Sequence, residues 1–164
     1  MLPNRKDKNI TFSRVAILSL IAYFPLGYIV GTIHELGHHL ICVSEGYESR
    51  IYFDLQGGHQ LCRKAPSNML VYNAMGGAFG LIASGSIIGI WLFKRKYLYL
   101  LIGGIVWAID SSSKIVLEGF FNSIYKSPEF VPYNTAFQII TIVGVTLYFA
   151  RRAHLQEKAK AATS

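Results

Sequence analysis

Charge is what this chain has least of. Only 15% of its 164 residues are Asp, Glu, Lys or Arg, against 52% apolar, where a soluble domain averages about a quarter charged. The charges gather at the two ends and in a few loops, leaving long uncharged runs between them. That pattern excludes an ordinary water-soluble globule and indicates lipid as the main solvent, in keeping with a mean hydropathy of +0.35. Acidic residues are scarcer still, 9 against 16 basic, for a net charge of +7. A basic excess can mark nucleic-acid binding, but here Arg5, Lys6, Lys8, Arg14, Lys94, Arg95, Lys96, Arg151 and Arg152 flank apolar runs. Flanking positive charge is the mark of cytoplasmic membrane ends, so nucleic acid is excluded and membrane lipid is the expected partner. Cysteines number 2; Cys42 and Cys62 could form one disulfide, and only if they meet outside the cytosol. No small-residue cleavage site precedes the first loop, so the first apolar run is expected to be retained. The lack of an internal repeat counts against a small transporter using Asp110, Lys114 and Glu118 as a charge relay.

What is present reads as four spans in one domain. The first runs from about Ile17 to Val43 with Pro25 inside it, long enough to cross the hydrocarbon with a tilt or kink. A polar stretch from Ser44 to Ser67 follows. Within it Arg50–Leu55 and Gln60–Arg63 flank Gly57 and Gly58, which predicts a β-hairpin. A second span is predicted from Met69 to Phe93, with small residues Gly76, Gly80, Ala83, Gly85 and Gly89 at spacings that allow close helix packing in lipid. Lys94-Arg95-Lys96 makes a tight turn. A third span runs from Tyr97 to about Phe121, and a fourth from about Thr135 to Phe149, after a loop with Pro128 and Pro132. The polar tail from Arg151 reads as a helical extension or as disorder. The fold class is therefore an all-α membrane protein of about four transmembrane helices with a short β-hairpin after the first. The basic residues on one side (Arg5, Lys6, Lys8, Arg14, Lys94, Arg95, Lys96, Arg151, Arg152, Lys158, Lys160) outnumber those on the other (Arg50, Arg63, Lys64, Lys126). That bias puts the N-terminus in the cytoplasm.

The chemistry lies in His34-Glu35-Leu36-Gly37-His38-His39, at the end of the first span. On a helix His34 and His38 share one face, one turn apart, and both rings can reach one metal. Glu35 is one residue round, placed to take a proton from a metal-held water and give it to a leaving amine. Ionisable residues at membrane depth are costly and usually functional, which favours a metal site over chance histidines. Zinc suits the work, because it brings the pKa of bound water toward neutrality and polarises a carbonyl. A third ligand is needed. Asp110, mid-way along the third span, is the leading candidate, although an i,i+4 pair with Lys114 would also explain it. Glu118, Cys42 and His59 are the others; Glu118 can pair with Lys114, Cys42 can be a buried thiol, and His59 can be a surface residue. His39 faces away and reads as an interfacial histidine. Gly37 permits a close approach by another backbone or by substrate.

His34-Glu35-Leu36-Gly37-His38 ending an apolar span, the polar hairpin after it, the segment Asn73-Ala74-Met75-Gly76-Gly77-Ala78 and Asp110 in a later span resemble the site-2 protease family of intramembrane zinc metalloproteases. The likeness covers about residues 17–120. It implies His34, His38 and Asp110 as zinc ligands, Glu35 as the base, and a hairpin beside the site that presents an extended transmembrane substrate. Residues 15–150 would form the metalloprotease-like domain, with a basic segment 1–14 before it and a polar tail 151–164 after it. The family sets its aspartate in an Asn-Pro-Asp-Gly-like context, whereas here it stands as Ala108-Ile109-Asp110-Ser111-Ser112-Ser113. That departure motivates an alternative: a proteolytically inactive assembly subunit or adaptor that retains the metal site and works with a membrane partner.

Overall fold

The computed structural model describes residues 12–54, 57–94 and 97–161. Arg5, Lys6 and Lys8 of the basic segment, Leu55 at the predicted strand end, and Arg95 and Lys96 of the tight turn lie outside them. Helix α1 (Phe12–Ser44) leads into strands β1 (Ser49–Asp54) and β2 (Gly57–Cys62); α2 (Met69–Lys94), α3 (Leu98–Phe120), the single turn α4 (Asn122–Tyr125) and α5 (Val131–Ala161) follow. Among the described residues, four helices are long and apolar enough to cross a membrane: α1, α2, α3 and the Val131–Gln156 part of α5. The chain is a helical multi-pass membrane protein with a two-stranded hairpin after its first span.

Length explains part of this arrangement. The 33 residues of α1 rise about 50 Å at helical pitch, more than the ~30 Å of hydrocarbon, so the helix tilts or protrudes. Pro25 sits inside it, which membrane helices tolerate where neighbours cover the lost bond. Helix α5 starts earlier than the sequence suggests, because Pro132 falls in its first turn, where a missing N–H costs nothing. It also continues past the last apolar residue, so the start of the polar tail is helical. The strands pair antiparallel, Ser49 opposite Cys62 and Asp54 opposite Gly57. Both glycines of the pair thus lie in β2 and not in the turn. Cys42 and Cys62 form a disulfide that ties the end of β2 to α1.

Apolar side chains such as Ile21, Ile82 and Ile140 point outward, each more than 60% exposed; in a spanning helix that face meets acyl chains. Little of the packing is therefore driven by water, and small residues carry it instead. Helix α2 runs against α3, with Gly77 on the contact: a side-chain carbon there would sit 2.6 Å from the Ile115 backbone N. Gly104 of α3 meets Ile88 as closely, at 2.7 Å. One apolar cluster joins α1, α3 and α5 through Val15, Ile102, Val106, Ile142 and Ala150. A second joins α1 to α2 through Leu26, Val30, Ala83 and Ile87. Gly85 touches nothing within 4 Å on its open side, which gives an internal control. Gly77→Val should lower stability in detergent by about 1–3 kcal/mol or more, as overpacking does, whereas Gly85→Val should be near neutral. Thermal unfolding of the two purified variants checks this, and equal losses would contradict the packing described.

Candidate metal centre

Two glycines on facing helices make room for the site. A side-chain carbon at Gly37 of α1 would lie 2.5 Å from the Met75 carbonyl O of α2, so the two backbones are in direct contact at that level. One at Gly76 would lie 2.7 Å from His34 Nε2 and would also overlap His38 Nε2. The imidazoles occupy the space the missing side chain leaves. His38 Nδ1 stands 2.8 Å from the Tyr72 carbonyl O. A carbonyl only accepts, so Nδ1 carries the proton and Nε2 turns its lone pair into the site. His34 Nε2 is 3.2 Å from His38 Nε2, and Glu118 Oε2 of α3 is 3.5 Å from both. All three residues are buried, and their donor atoms lie within 4.8 Å of one another. Two imidazole nitrogens and one carboxylate oxygen converging on one point form a donor set that fits a zinc-like divalent cation.

Charge balance supports that fit. Among the described residues, three carboxylates deep in the spans, Glu35, Asp110 and Glu118, face one ammonium, Lys114. Asp110 Oδ2 and Lys114 Nζ, 3.1 Å apart, neutralise each other. Glu35 and Glu118 then remain as two carboxyl groups without a basic side chain of their own, and uncompensated charge inside a span is expensive. With the two Nε2 atoms 3.2 Å apart, full protonation would aim two N–H groups at each other. A divalent cation would offset both carboxylates at once.

Asp110 is not at this centre. Its Oδ2 is taken by Lys114 and its Oδ1 accepts from Gln138 Nε2 at 2.9 Å, so the i,i+4 ion pair holds it and Glu118 stands where Asp110 was expected. The two are eight residues apart on α3, about 12 Å along the axis. Cys42 is committed to its disulfide. His59 lies on the hairpin, with Nε2 3.0 Å from Asp54 Oδ1 and its ring stacked on Tyr52. His39 hydrogen-bonds the Ser49 hydroxyl at 2.8 Å.

The donors open onto a cavity of about 830 Å³ lined by α1, α3, α5 and the hairpin, within the size range of ligand pockets. Glu35 is half-buried on its wall. Strand β2, not β1, passes over it: a side-chain carbon at Gly58 would be 3.1 Å from Glu35 Cγ, a tight contact that glycine relieves. A hydrogen-bonded chain holds β2 there. The Tyr72 hydroxyl donates to Gln60 Oε1, Gln60 Nε2 donates to Ser49 Oγ, and Ser49 bonds His39. Since the Tyr72 carbonyl also holds His38, hairpin and metal donors share one support. Beyond α3, the Tyr125 hydroxyl hydrogen-bonds the Glu118 carboxylate; burial raises its pKa to about 12, so it stays a donor near neutral pH. Gly76, Tyr72, Gln60 and Tyr125 do not stand out as site residues in the sequence. Only Gly76 has a local signal there, its place in the small-residue pattern.

No family model matches the chain, and no curated protein or solved structure matches it.

The donor set makes a direct prediction. Purified under metal-replete conditions, the wild-type protein should hold about one zinc per chain, and His34→Ala or Glu118→Gln should lose it. Asp110→Asn should keep it. Elemental analysis of the detergent-solubilised proteins decides, and zinc lost in Asp110→Asn but kept in Glu118→Gln would reverse the ligand assignment.

Proposed function

We propose that the chain is an intramembrane zinc endopeptidase, with His34, His38 and Glu118 holding the metal and Glu35 acting as general base. The observation that carries this reading is the meeting of a three-donor group and a free carboxylate beneath a β-strand, inside a cavity bounded by membrane spans. Bound there, zinc would acidify a water molecule and polarise a peptide carbonyl. Glu35 takes the proton from the attacking water and delivers it to the leaving amine, a role typically worth 10²–10⁴-fold. Glu118 balances charge, with the Tyr125 hydroxyl orienting its carboxylate. His38, its tautomer set by the Tyr72 carbonyl, keeps Nε2 available.

A transmembrane helix has its backbone groups satisfied internally, so a substrate must unwind before its carbonyl can reach the donors. The two-stranded sheet leaves β2 one unpaired edge, whose N–H and C=O groups can receive an unwound segment as a third strand. The strand against Glu35 is β2. The unbroken helix around Asp110, which motivates a non-catalytic adaptor, concerns a residue two turns from the donor group, and the catalytic reading no longer depends on it.

The same reading has a sidedness. The basic flanks favour a cytoplasmic N-terminus, and a disulfide at the hairpin is at home in an oxidising compartment; both support a site toward the external or luminal half. An epitope inserted after Ala65 should bind antibody on intact cells; binding only after permeabilisation would reverse the orientation. For the chemistry, Glu35→Gln should retain zinc while cleavage of transmembrane peptides in proteoliposomes falls by about 10²–10⁴-fold. An unchanged cleavage rate would remove Glu35 from the mechanism, and zinc-loaded wild type that cuts nothing would favour the adaptor.

A further inference from the structure

Below the metal donors, α1 presents two glycines one turn apart, and the structure treats them differently. At Gly27 the space is filled from α3: the Trp107 ring lies where a side chain would project, with Cη2 2.8 Å from that position. Trp107 is held there by stacking on Tyr23 at 4.8 Å and by its indole N–H, which donates to the Tyr23 carbonyl at 3.3 Å. At Gly31 nothing lies within 4 Å, yet the residue is on the wall of the large cavity. One turn further on stand His34 and Glu35. Tyr28, its ring 5.2 Å from Phe53 of β1, lines the same cavity. The space over Gly31 is thus part of a cavity whose lining includes Trp107, Tyr23 and Tyr28, with the Glu35 carboxylate one turn further along α1.

We propose that this recess over Gly31 is the subsite for a substrate side chain next to the cleaved bond, and that it selects a large apolar residue, aromatic above aliphatic. The inference rests on the peptidase reading and names which substrates that site takes. Positions one turn apart on a helix are about 5–6 Å from each other, and side chains on one face of an extended peptide repeat at about 6.6–6.8 Å. A side chain seated at Gly31 therefore belongs to a residue within two positions of the carbonyl held at the donors. The missing side chain at position 31 leaves a full side chain's room. The aromatic lining of Trp107, Tyr23 and Tyr28 favours an aromatic occupant through ring contacts. An acidic occupant would be repelled by the Glu35 carboxylate beside the recess.

The test compares wild type, Gly31→Ala and Gly31→Leu in proteoliposomes, on transmembrane peptides that differ only at the residues flanking one bond (Phe, Leu, Ala or Asp), with zinc content measured for each protein. A side-chain carbon at position 31 has no atom within 4 Å, and both residues favour helix over glycine, so all three should fold and hold zinc equally. Wild type should prefer Phe, then Leu. Gly31→Leu should cut Phe-flanked peptides at least roughly tenfold less well in kcat/KM while keeping Ala-flanked cleavage, with Gly31→Ala between them. If wild type cleaves but all three proteins share one preference, the subsite is wrong and the peptidase stands. A wild-type preference for Ala or Asp would likewise overturn the subsite and leave the peptidase standing. If zinc-loaded wild type cuts none of the peptides, the peptidase reading falls and takes the subsite with it.

Discussion

Ionisable side chains at membrane depth must be neutralised within the protein, and most of this structure answers to that constraint. Among the described residues, Glu35, Asp110, Lys114 and Glu118 are buried or half-buried charged groups of α1 and α3, and each has a defined relation to the others. Asp110 and Lys114 cancel as a pair on one helix, with Gln138 of α5 completing the aspartate's bonding. Glu118 reaches across to two histidines of α1, and Glu35 borders the cavity. A divalent cation held by His34, His38 and Glu118 would offset that buried charge as well as serve the proposed chemistry.

Meeting that requirement takes close helix contact, and the chain achieves it with glycine. Gly37 against Met75 and Gly76 against the two imidazoles set the separation of α1 and α2. Gly77 against Ile115 sets that of α2 and α3, which brings Glu118 within reach. The hairpin is fastened to the same place by the Tyr72–Gln60–Ser49–His39 chain and by the Cys42–Cys62 disulfide. Its position over Glu35 again depends on a residue without a side chain, Gly58. Metal donors, base and strand edge are thus held by shared contacts, so a shift of α2 would disturb all three.

The pairing on α3 shows how legible the site was. Both outcomes for Asp110 were open in the sequence, and the ion pair with Lys114 is the one realised. The better ligand could have been found by depth. His34 and His38 lie 20 and 24 residues beyond Arg14, the basic flank of the first span, and Glu118 lies 22 beyond Lys96. Asp110 lies only 14 beyond Lys96, roughly two helical turns short. A carboxylate near a span end lies close to water and so looks less costly than one in the middle, which masks Glu118 behind Asp110. The hairpin was legible in kind and shifted in detail, since Gly57 and Gly58 served strand β2 and not the turn.

The sequence alone determined the class of protein, the number of spans, the hairpin, and the pair of histidines with a glutamate between them. These follow from composition, run length and the period of one helix, all local properties of the chain. Tertiary structure alone decided which carboxylate joins the histidines, which strand covers Glu35, and which glycine of α1 is filled by Trp107 and which is left open. Those depend on how far one helix slides and turns against the next. In lipid that is settled by side-chain fit and polar pairing between helices, terms that a hydropathy pattern does not contain.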